Sequence, residues 1–466
     1  MISVYCDNSE FPEERYGHNL DFDAPIIKPI IINNNCYVYD TYTNYILGVS
    51  HDIFLEVCKL CEIGISKYIA SGRTDEAYRN VILLLDKGFF KSTFVEKIEH
   101  PDTKYLSVMT DRCINQLILG ITNLCNFSCR YCHQAEGKLL STKSAMDCAT
   151  AFKSIDFLFE HSKDAFEVTV TFYGGEPLLN FELIKSVVEY ASEKFKTKNV
   201  TFNMTTNASL LSDDTVAFLV KNNFDLLISL DGNPQVQNHH RRYLSNGADT
   251  FDSVWKNIMR IKDKYPDYFS SNVNFNSVIL NDENPDDINL FFENEGISKD
   301  KVSIRRADMS GIDYSFSQIA AHNLSDTDIL YNRIYKDYHE HYSDKSIIPK
   351  TWHHNGPCIP SVRRLFVNAD GDFFPCEKID GDSSCKIGSL SDGINIGKVN
   401  ELLNVGKLSE NECKKCWAMR FCTMCVHDCI DDGKISKEKK LEHCKLQKET
   451  AVMFLKKYIE EQRSLK

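Results

Sequence analysis

Three cysteines stand close together in the segment CNFSCRYC, at Cys125, Cys129 and Cys132. Three residues separate the first two, two residues separate the last two, and the apolar run QLILGI precedes them. A four-iron cluster takes one thiolate per iron, so three cysteines leave one iron with an open position for a chelating ligand. The spacing therefore predicts a redox-active iron–sulfur site. Zinc-binding or simply buried thiols are the alternative, although structural zinc usually takes four ligands.

The other cysteines are distributed unevenly along the 466-residue chain. Of 18 cysteines, nine lie before position 150 and nine lie from Cys358 to Cys444, with none between Cys148 and Cys358. So many thiols in a cytosolic chain indicate metal binding or catalysis before disulfides. The sequence therefore predicts two cysteine centres separated by a cysteine-free middle.

The C-terminal centre holds enough thiols to ligate two four-iron clusters. Its candidate ligands are Cys358, Cys376, Cys413, Cys416, Cys422, Cys425, Cys429 and Cys444. A zinc ribbon is the alternative, because C-x2-C pairs suit structural zinc equally well. Cys385 has no assignment. Cys58 and Cys61 also form a C-x2-C pair, but they lie in a helical pattern and are expected to be small core residues.

Composition and charge exclude several classes of protein. With 42% hydrophobic and 26% charged residues, the chain can bury sizeable cores and is neither disordered nor fibrous. The formal charge of −12 argues against broad binding to nucleic acid or acidic membranes. The start MISVYCDNSEFPEE lacks a signal peptide's basic flank and apolar core, and no apolar run approaches the roughly 20 residues of a membrane helix. We therefore expect a cytoplasmic protein of two or three domains.

The elements that would position these residues alternate between strand and helix in the middle of the chain. Six apolar, β-branched runs predict strands: QLILGIT, EVTVTFY, NVTFNMTT, FDLLISL, NVNFNSVIL and KVSIRRA. Helical stretches such as FELIKSVVEYASEKFK separate them, which indicates an α/β fold with a parallel sheet. Six units are fewer than the eight of a closed TIM barrel. We therefore expect a partial (β/α)6 barrel, with a doubly wound sheet as the alternative.

Functional residues of such sheets gather at the carboxyl ends of the strands. The cysteine triplet follows the first predicted strand, and YGGEP (Tyr173–Pro177) follows the second. TTNAS follows the third strand, and SLDG marks the end of the fourth. Glycines at a strand end let backbone groups approach a ligand closely. All four segments are therefore expected on one functional edge of the sheet.

These motifs resemble those of the radical S-adenosylmethionine enzymes. The resemblance implies that S-adenosylmethionine chelates the open iron through its amino and carboxylate groups, and that one-electron reduction yields a 5′-deoxyadenosyl radical, which takes a hydrogen atom from substrate. It also implies reduced flavodoxin or a ferredoxin-type protein as electron donor. The implied iron ligands are Cys125, Cys129 and Cys132, and the implied cosubstrate contacts are Tyr131, Gly174, Gly175, Glu176, Ser229 and Arg241.

The C-terminal runs GPCIPSVRRLFVNADGDFFPCEK and CKKCWAMRFC resemble the SPASM extension of radical enzymes that act on peptides and proteins. The resemblance implies two auxiliary four-iron clusters held by the eight C-terminal cysteines, and hence three clusters in all. The sequence departs from the pattern at Val426, where a cysteine is expected, while Cys425 and Cys429 flank that position. Glu377 stands where members that oxidise sulfatase side chains carry an Asp proposed as base, so it is a candidate general base.

Residues 26–100 read as a separate small domain. An alternating segment with Asn-rich turns predicts a hairpin, and two helical patterns follow it, which favours a winged-helix-like fold. Eight Lys or Arg against nine Asp or Glu give no basic surface for DNA. The segment resembles the domain that holds the leader of a ribosomally made precursor peptide against a strand edge by β-augmentation. A stabilising cap is the alternative.

The sequence thus predicts a peptide maturase of the radical S-adenosylmethionine and SPASM type, one that forms cysteine thioethers as ranthipeptide and sactipeptide maturases do. The alternatives are an anaerobic sulfatase-maturing enzyme, which makes formylglycine, and a non-catalytic iron–sulfur or zinc scaffold. The expected units are an N-terminal segment (1–25), the leader-binding domain (26–100), a linker (101–115), the barrel (116–345), the SPASM domain (346–450) and a C-terminal helix (451–466).

Overall fold

The structure is a computed structural model that describes residues 23–91, 95–132, 142–280, 283–306, 351–354 and 359–464. The predicted ligand Cys358 lies outside the described residues, as does the predicted N-terminal segment except for its last three residues.

The N-terminal unit is a three-stranded antiparallel sheet followed by three helices. Its elements are β1 (Ile27–Ile32), β2 (Asn35–Asp40), β3 (Tyr45–Val49), α1 (His51–Ile63), α2 (Ile65–Ala70) and α3 (Glu76–Asp86). Asn33 and Asn34, with φ of 49° and 63°, form the two-residue turn between β1 and β2, so the predicted Asn-rich hairpin is confirmed. Cys58 and Cys61 are buried in the core of this unit, as expected.

The middle of the chain repeats strand and helix. Its elements are β4 (Lys97–Ile98), α4 (Leu106–Arg112), β5 (Gln116–Thr122), β6 (Phe127–Cys129), α5 (Cys148–His161), β7 (Glu167–Gly174), α6 (Phe181–Lys194), β8 (Asn199–Thr206), α7 (Asp213–Lys221), β9 (Asp225–Ser229), α8 (Pro234–His240), β10 (Arg241–Tyr243), α9 (Phe251–Lys264), α10 (Pro266–Asn272), β11 (Val273–Ile279), α11 (Pro285–Asn294) and β12 (Val302–Arg306). Segment 101–115, predicted as a linker, instead contains α4 and a short 3-10 helix, Pro101–Tyr105.

All six predicted strands form one parallel sheet, in the order β12-β11-β9-β8-β7-β5. The strand numbers change in one direction only across these described strands, whereas a doubly wound sheet reverses direction at a switch point. The order of these six strands therefore favours the partial barrel over the doubly wound alternative. β5 carries a nearly continuous apolar run that is buried along its length, because neighbouring strands and helices cover it on all sides.

The C-terminal part extends this sheet beyond β5. Its elements are β13 (Thr351–Trp352), β14 (Leu365–Val367), β15 (Asp372–Phe374), β16 (Gly388–Ser389), β17 (Gly393–Ile394), α12 (Ile396–Leu403), α13 (Glu410–Cys413), β18 (Ile430–Asp431), β19 (Lys434–Ile435) and α14 (Lys437–Ser464). β14 lies parallel to β5, and β15 to β17 continue as an antiparallel meander. The terminal helix begins at Lys437, well before the predicted position 451.

One face of the N-terminal sheet packs on the C-terminal part. Ile30 and Ile32 of β1 share a buried apolar cluster with Phe421 and with Phe454 and Leu455 of α14. The opposite face packs on the helices of its own unit. The sheet is therefore held between its own helices and the cysteine-rich region. Among the described residues, no helix is long and apolar enough to cross a membrane.

Candidate active site

The predicted cysteine triplet forms a compact loop at the carboxyl end of β5. Cys129 lies in β6, which pairs with β10 so that Cys129 stands opposite Arg241. The backbone N–H of Phe127 donates to the Cys125 Sγ at 3.4 Å, and the N–H of Cys132 donates to the Cys129 carbonyl at 3.2 Å. The three cysteines thus lie in one short loop after β5, and their role as iron ligands stays a prediction.

The chemistry of this thiol set fits a cationic metal cluster. Burial raises the pKa of Cys125, and it raises the pKa of Cys129 to about 12. A metal ligand must be a thiolate, so a bound cluster would supply the positive charge that keeps these buried thiols deprotonated. The Arg241 Nη1 lies 3.9 Å from the Cys129 Sγ and adds positive charge beside it.

Two glycines at the end of β7, Gly174 and Gly175, pack against the backbone that leads into the cysteine loop. The Gly175 N–H donates to the Thr122 carbonyl at 2.8 Å. A Cβ on Gly174 would lie 2.1 Å from the Thr122 carbonyl oxygen, and a Cβ on Gly175 would lie 2.3 Å from the Leu124 carbonyl oxygen. No side chain fits at either position, because backbone lies where it would begin. The two glycines therefore let the GGEP segment press against the residues that lead into Cys125.

The Glu176 carboxylate points into the protein. It accepts hydrogen bonds from the Thr206 hydroxyl at 2.7 Å, the Asn207 N–H at 2.7 Å and the Leu178 N–H at 3.1 Å. The side chain is fully buried, and burial raises its pKa to about 7. Because these donors occupy the carboxylate, Glu176 ties the carboxyl ends of β7 and β8 together, while the backbone of the GGEP segment faces the cysteine loop.

A buried ion pair holds the other side of the loop. The Arg241 guanidinium donates to both Asp231 oxygens, at 2.9 and 3.0 Å, and the Tyr131 hydroxyl also donates to Asp231. Asp231 is fully buried and also accepts from the Val278 N–H at 3.0 Å. Ser229, a predicted cosubstrate contact, lies half-buried at the end of β9, two residues before Asp231. Asp231 was not among the predicted site residues, although an acidic residue at a predicted strand end was a usable signal.

The C-terminal thiols fall into two groups. The first group lines one cavity of ≈740 Å³ beside β1: Cys413, Cys416, Cys422 and Cys444. The fully buried Lys440 places its Nζ 3.4 Å from the Cys413 Sγ. Among the described residues, no group of three or more His, Cys, Asp or Glu side chains is arranged to hold a single metal ion. Four cysteines line this cavity and a buried ammonium group lies beside one of them. These residues fit a four-iron cluster, because its four thiolate ligands give the whole group a net negative charge.

The second group gathers around the hairpin of β15 and β16. Cys376 follows β15 and Cys385 precedes β16, so the antiparallel register places them on facing arms. Burial is the main cause that raises the pKa of Cys425. The negative charges of Asp428 and Cys376 raise this pKa further. The pKa of Cys429 is raised to about 12, chiefly by burial, and the negative charges of Asp428, then of Cys444 from the first group and of Cys385, contribute. Cys385, unassigned by the sequence, therefore lies with Cys376, Cys425 and Cys429.

Glu377 directly follows Cys376 in the chain. Its carboxylate is 3.4 Å from the Arg364 Nη1. The pKa of Tyr173, at the end of β7, is raised by burial and next by the negative charges of Glu377 and Cys132. One tyrosine thus lies within electrostatic range of both predicted redox regions. Tyr173 was not among the predicted site residues, because only the fold brings these segments together.

Comparison with known proteins agrees with this geometry. Residues 119–293, from β5 into α11, match the model of the Radical SAM superfamily. This segment of the chain is therefore similar to a radical SAM domain.

Curated relatives cover parts of the chain. An uncharacterized protein of Methanocaldococcus jannaschii is 32% identical over 141 residues, which are 30% of this chain and 46% of that protein. The radical SAM cyclopropyl synthase TigE of Paramaledivibacter caminithermalis is 23% identical over 195 residues, 40% of this chain and 39% of TigE. The cysteine-type anaerobic sulfatase-maturating enzyme of Clostridium novyi is 24% identical over 160 residues, 33% of this chain and 41% of that enzyme. This chain thus spans less than half the length of each of these relatives.

A solved structure of anSMEcpe with bound AdoMet and the Kp18Cys peptide resembles more of the chain. The match covers 75% of this chain and 99% of that one, with a TM-score of 0.57 and 18% sequence identity. The likeness shows a shared fold that reaches beyond the radical SAM domain.

Proposed function

We propose that the chain is a radical S-adenosylmethionine peptide maturase. The observation that supports this best is the cysteine loop after β5, where Cys129 stands opposite Arg241 and where Gly174 and Gly175 press against the backbone that leads into Cys125. Tyr173 is also within electrostatic range of Cys132, Cys376 and Glu377. Two thiol centres that adjoin one site suit a reaction in which one centre starts a radical and the other accepts an electron. The anSMEcpe structure, with AdoMet and a peptide bound to the same fold, supports a peptide substrate.

The chain's own residues would bind and orient the reactants. Cys125, Cys129 and Cys132 would hold a four-iron cluster, which supplies reductive cleavage of S-adenosylmethionine to a 5′-deoxyadenosyl radical when bound. The backbone of Gly174 and Gly175 would lie beside the methionine amino group, and Tyr131 would lie beside the adenine. Reduced flavodoxin or a ferredoxin-type protein would donate the electron.

The C-terminal thiols would hold two auxiliary clusters that remove an electron from the substrate. Glu377 would accept the proton that leaves as the substrate is oxidised, because its carboxylate is within electrostatic range of Tyr173, a residue that Cys132 of the cysteine loop also affects. Arg364 would hold that carboxylate in place.

The N-terminal unit, which we propose is a winged-helix-like recognition domain, offers β3 as the edge for a leader peptide. In the described sheet, β1 and β3 are the edge strands. Pro29 pairs with Val38, and because proline has no N–H, Val38 directs its hydrogen-bonding groups toward β3, where it pairs with Leu47. The residues on either side of Leu47, Ile46 and Gly48, therefore direct theirs outward. An extended peptide can pair with these groups.

Gly48→Pro should weaken leader binding about tenfold or more, because it removes an outward N–H without removing a bond to β2. Gly48→Ala is the matched control, since it keeps the N–H and its Cβ would lie an ordinary 3.6 Å from the Tyr37 ring. Fluorescence anisotropy of a labelled leader, taken from a precursor candidate found among the neighbouring genes, measures the affinity. Equal affinities of the two variants would reduce this unit to a stabilising cap.

The product we propose is a thioether between a peptide cysteine and a carbon of another residue. Its motive is Val426, which stands at the position expected for a ligand while Cys425 and Cys429 flank it. This displacement would leave one iron of an auxiliary cluster without a protein thiolate. A cluster held there would, when bound, supply an iron that a substrate thiolate could occupy near the target carbon.

Mass spectrometry of the modified precursor tests the product. Each thioether should cost two hydrogens and consume one cysteine that iodoacetamide can otherwise alkylate. Loss of two hydrogens with every cysteine still alkylated would reject the thioether and leave a carbon–carbon or carbon–oxygen link.

A sulfatase-maturing activity is the second candidate. The sulfatase-maturating relative and the carboxylate of Glu377 favour it. Incubating the anaerobically reconstituted chain with a sulfatase peptide and, separately, with the leader-bearing precursor distinguishes the two. Formylglycine in the sulfatase peptide, with an unchanged precursor, would replace the maturase proposal.

A further inference from the structure

Lys440 is a fully buried lysine on the first turns of α14. Its neighbours on that helix pair with carboxylates: Lys437 with Glu412 at 2.7 Å, and Lys439 with Glu442 at 3.3 Å. Lys440 instead donates to the Ser409 hydroxyl at 2.5 Å and to the Cys413 Sγ at 3.4 Å. A buried cation is costly unless an anion lies beside it. Lys440 contacts a hydroxyl and a thiol directly, and of these two the Cys413 thiol is the one that can be an anion, as a metal-bound thiolate.

Cys413 has further polar neighbours. The Ser409 Oγ lies 3.3 Å from its Sγ, and the His354 Nε2 lies 3.9 Å from it. Three segments of the chain, around His354, Ser409 and Lys440, thus meet at one sulfur. Ser409 and Cys413 are themselves buried, so water does not weaken these contacts. A neutral thiol has no need of an ammonium, whereas a metal-bound thiolate does.

We propose that Lys440 is a positioning residue that raises the reduction potential of the cluster held by Cys413, Cys416, Cys422 and Cys444. This inference rests on the proposed function, since it presumes iron and sulfur in that thiol-lined cavity. Hydrogen bonds to the cysteine sulfurs and the net charge near the cluster set the potential of an iron–sulfur centre. A positive charge at 3.4 Å from one sulfur stabilises the reduced, more negative state more than the oxidised state.

Lys440 acts more directly on the first group than on the second. Its charge opposes the effect of burial on the pKa of Cys429, but its direct hydrogen bond goes to Cys413 of the first group. We therefore expect Lys440 to raise the potential of a cluster at the first group more than that of a cluster at the second.

The test uses the full chain, reconstituted anaerobically with iron and sulfide. Metal analysis comes first, and a redox titration followed by electron paramagnetic resonance then gives the midpoint potential of each cluster. Lys440→Met should shift one auxiliary potential to a more negative value and leave that of the Cys125 loop unchanged. Lys440→Arg should keep the potential close to that of the wild-type protein, because arginine is also a charged donor. Lys440→Gln, which keeps a donor without the charge, should lie between them and serves if the Met variant does not fold.

Lys439→Met is the matched control, since it removes an adjacent lysine that pairs at the surface with Glu442. It should leave all potentials unchanged. Full iron content with an unchanged potential in both Lys440→Met and Lys440→Gln would overturn the inference while the proposed function stands. Zinc in place of iron at the C-terminal thiols would overturn both the inference and the auxiliary clusters of the proposed function.

Discussion

Replacing Cys125, Cys129 and Cys132 together with Ala should abolish the formation of 5′-deoxyadenosine and leave iron at the C-terminal thiols. The three cysteines lie in one short loop and are the proposed ligands of the cluster that cleaves S-adenosylmethionine. Three four-iron clusters make about twelve irons, and the triple variant should retain about eight. Iron analysis and chromatography of a reaction with dithionite and S-adenosylmethionine measure the two effects.

Cys148→Ala provides the control for this experiment, because Cys148 is exposed at the start of α5 and belongs to neither cysteine centre. It should keep both the iron and the cleavage activity. Survival of cleavage in the triple variant would remove the basis of the proposed function. Wild-type protein that binds about four irons with stoichiometric zinc would make the C-terminal centre a zinc ribbon. No cleavage by the reconstituted wild-type chain would leave the non-catalytic scaffold.

The second large effect is expected from Asp231→Ala. This change leaves the Arg241 guanidinium buried, 6% exposed, without its carboxylate. Removing one partner of a buried ion pair costs about 3–5 kcal/mol, because the remaining charge is uncompensated. Tyr131 loses its acceptor as well. Chemical denaturation of the apo protein should show the loss, and the variant should also retain less iron, since Arg241 stands opposite Cys129 in the paired strands.

A double-mutant cycle separates the ion pair from simple loss of packing. Asp231→Ala combined with Arg241→Met should be less destabilised than Asp231→Ala alone, because the unpaired charge is gone. Arg242→Met is the surface control: its ion pair with Asp249 is 45% and 60% exposed, so the cost should stay below about 1 kcal/mol. Additive effects of Asp231→Ala and Arg241→Met would show that the pair does not act as a unit.

Local patterns in the sequence were sufficient for the strands and the first motif. Each of the six predicted strands lies in the parallel sheet, because alternation of side chains and β-branched runs is a property of a few consecutive residues. The three cysteines at positions 125–132 are near neighbours in the chain, so their spacing already placed them in one loop. Boundaries were less well predicted: residues 101–115 fold into short helices, and the terminal helix starts at Lys437. Tertiary packing stabilises these helices, and local propensity does not report it.

The sequence by itself determined which residue types are available and which of them follow strand ends. Only the tertiary structure decided what Glu176, Asp231, Cys385 and Lys440 contact. Glu176 lies beside the predicted cosubstrate site in sequence, yet its carboxylate is taken up by the end of β8. Lys440 is one of many lysines in α14, and its burial against Cys413 depends on segments that begin far apart in the chain. Burial and charge pairing are properties of the packed chain, since a side chain's partners across the core lie at sequence distances that no local period records.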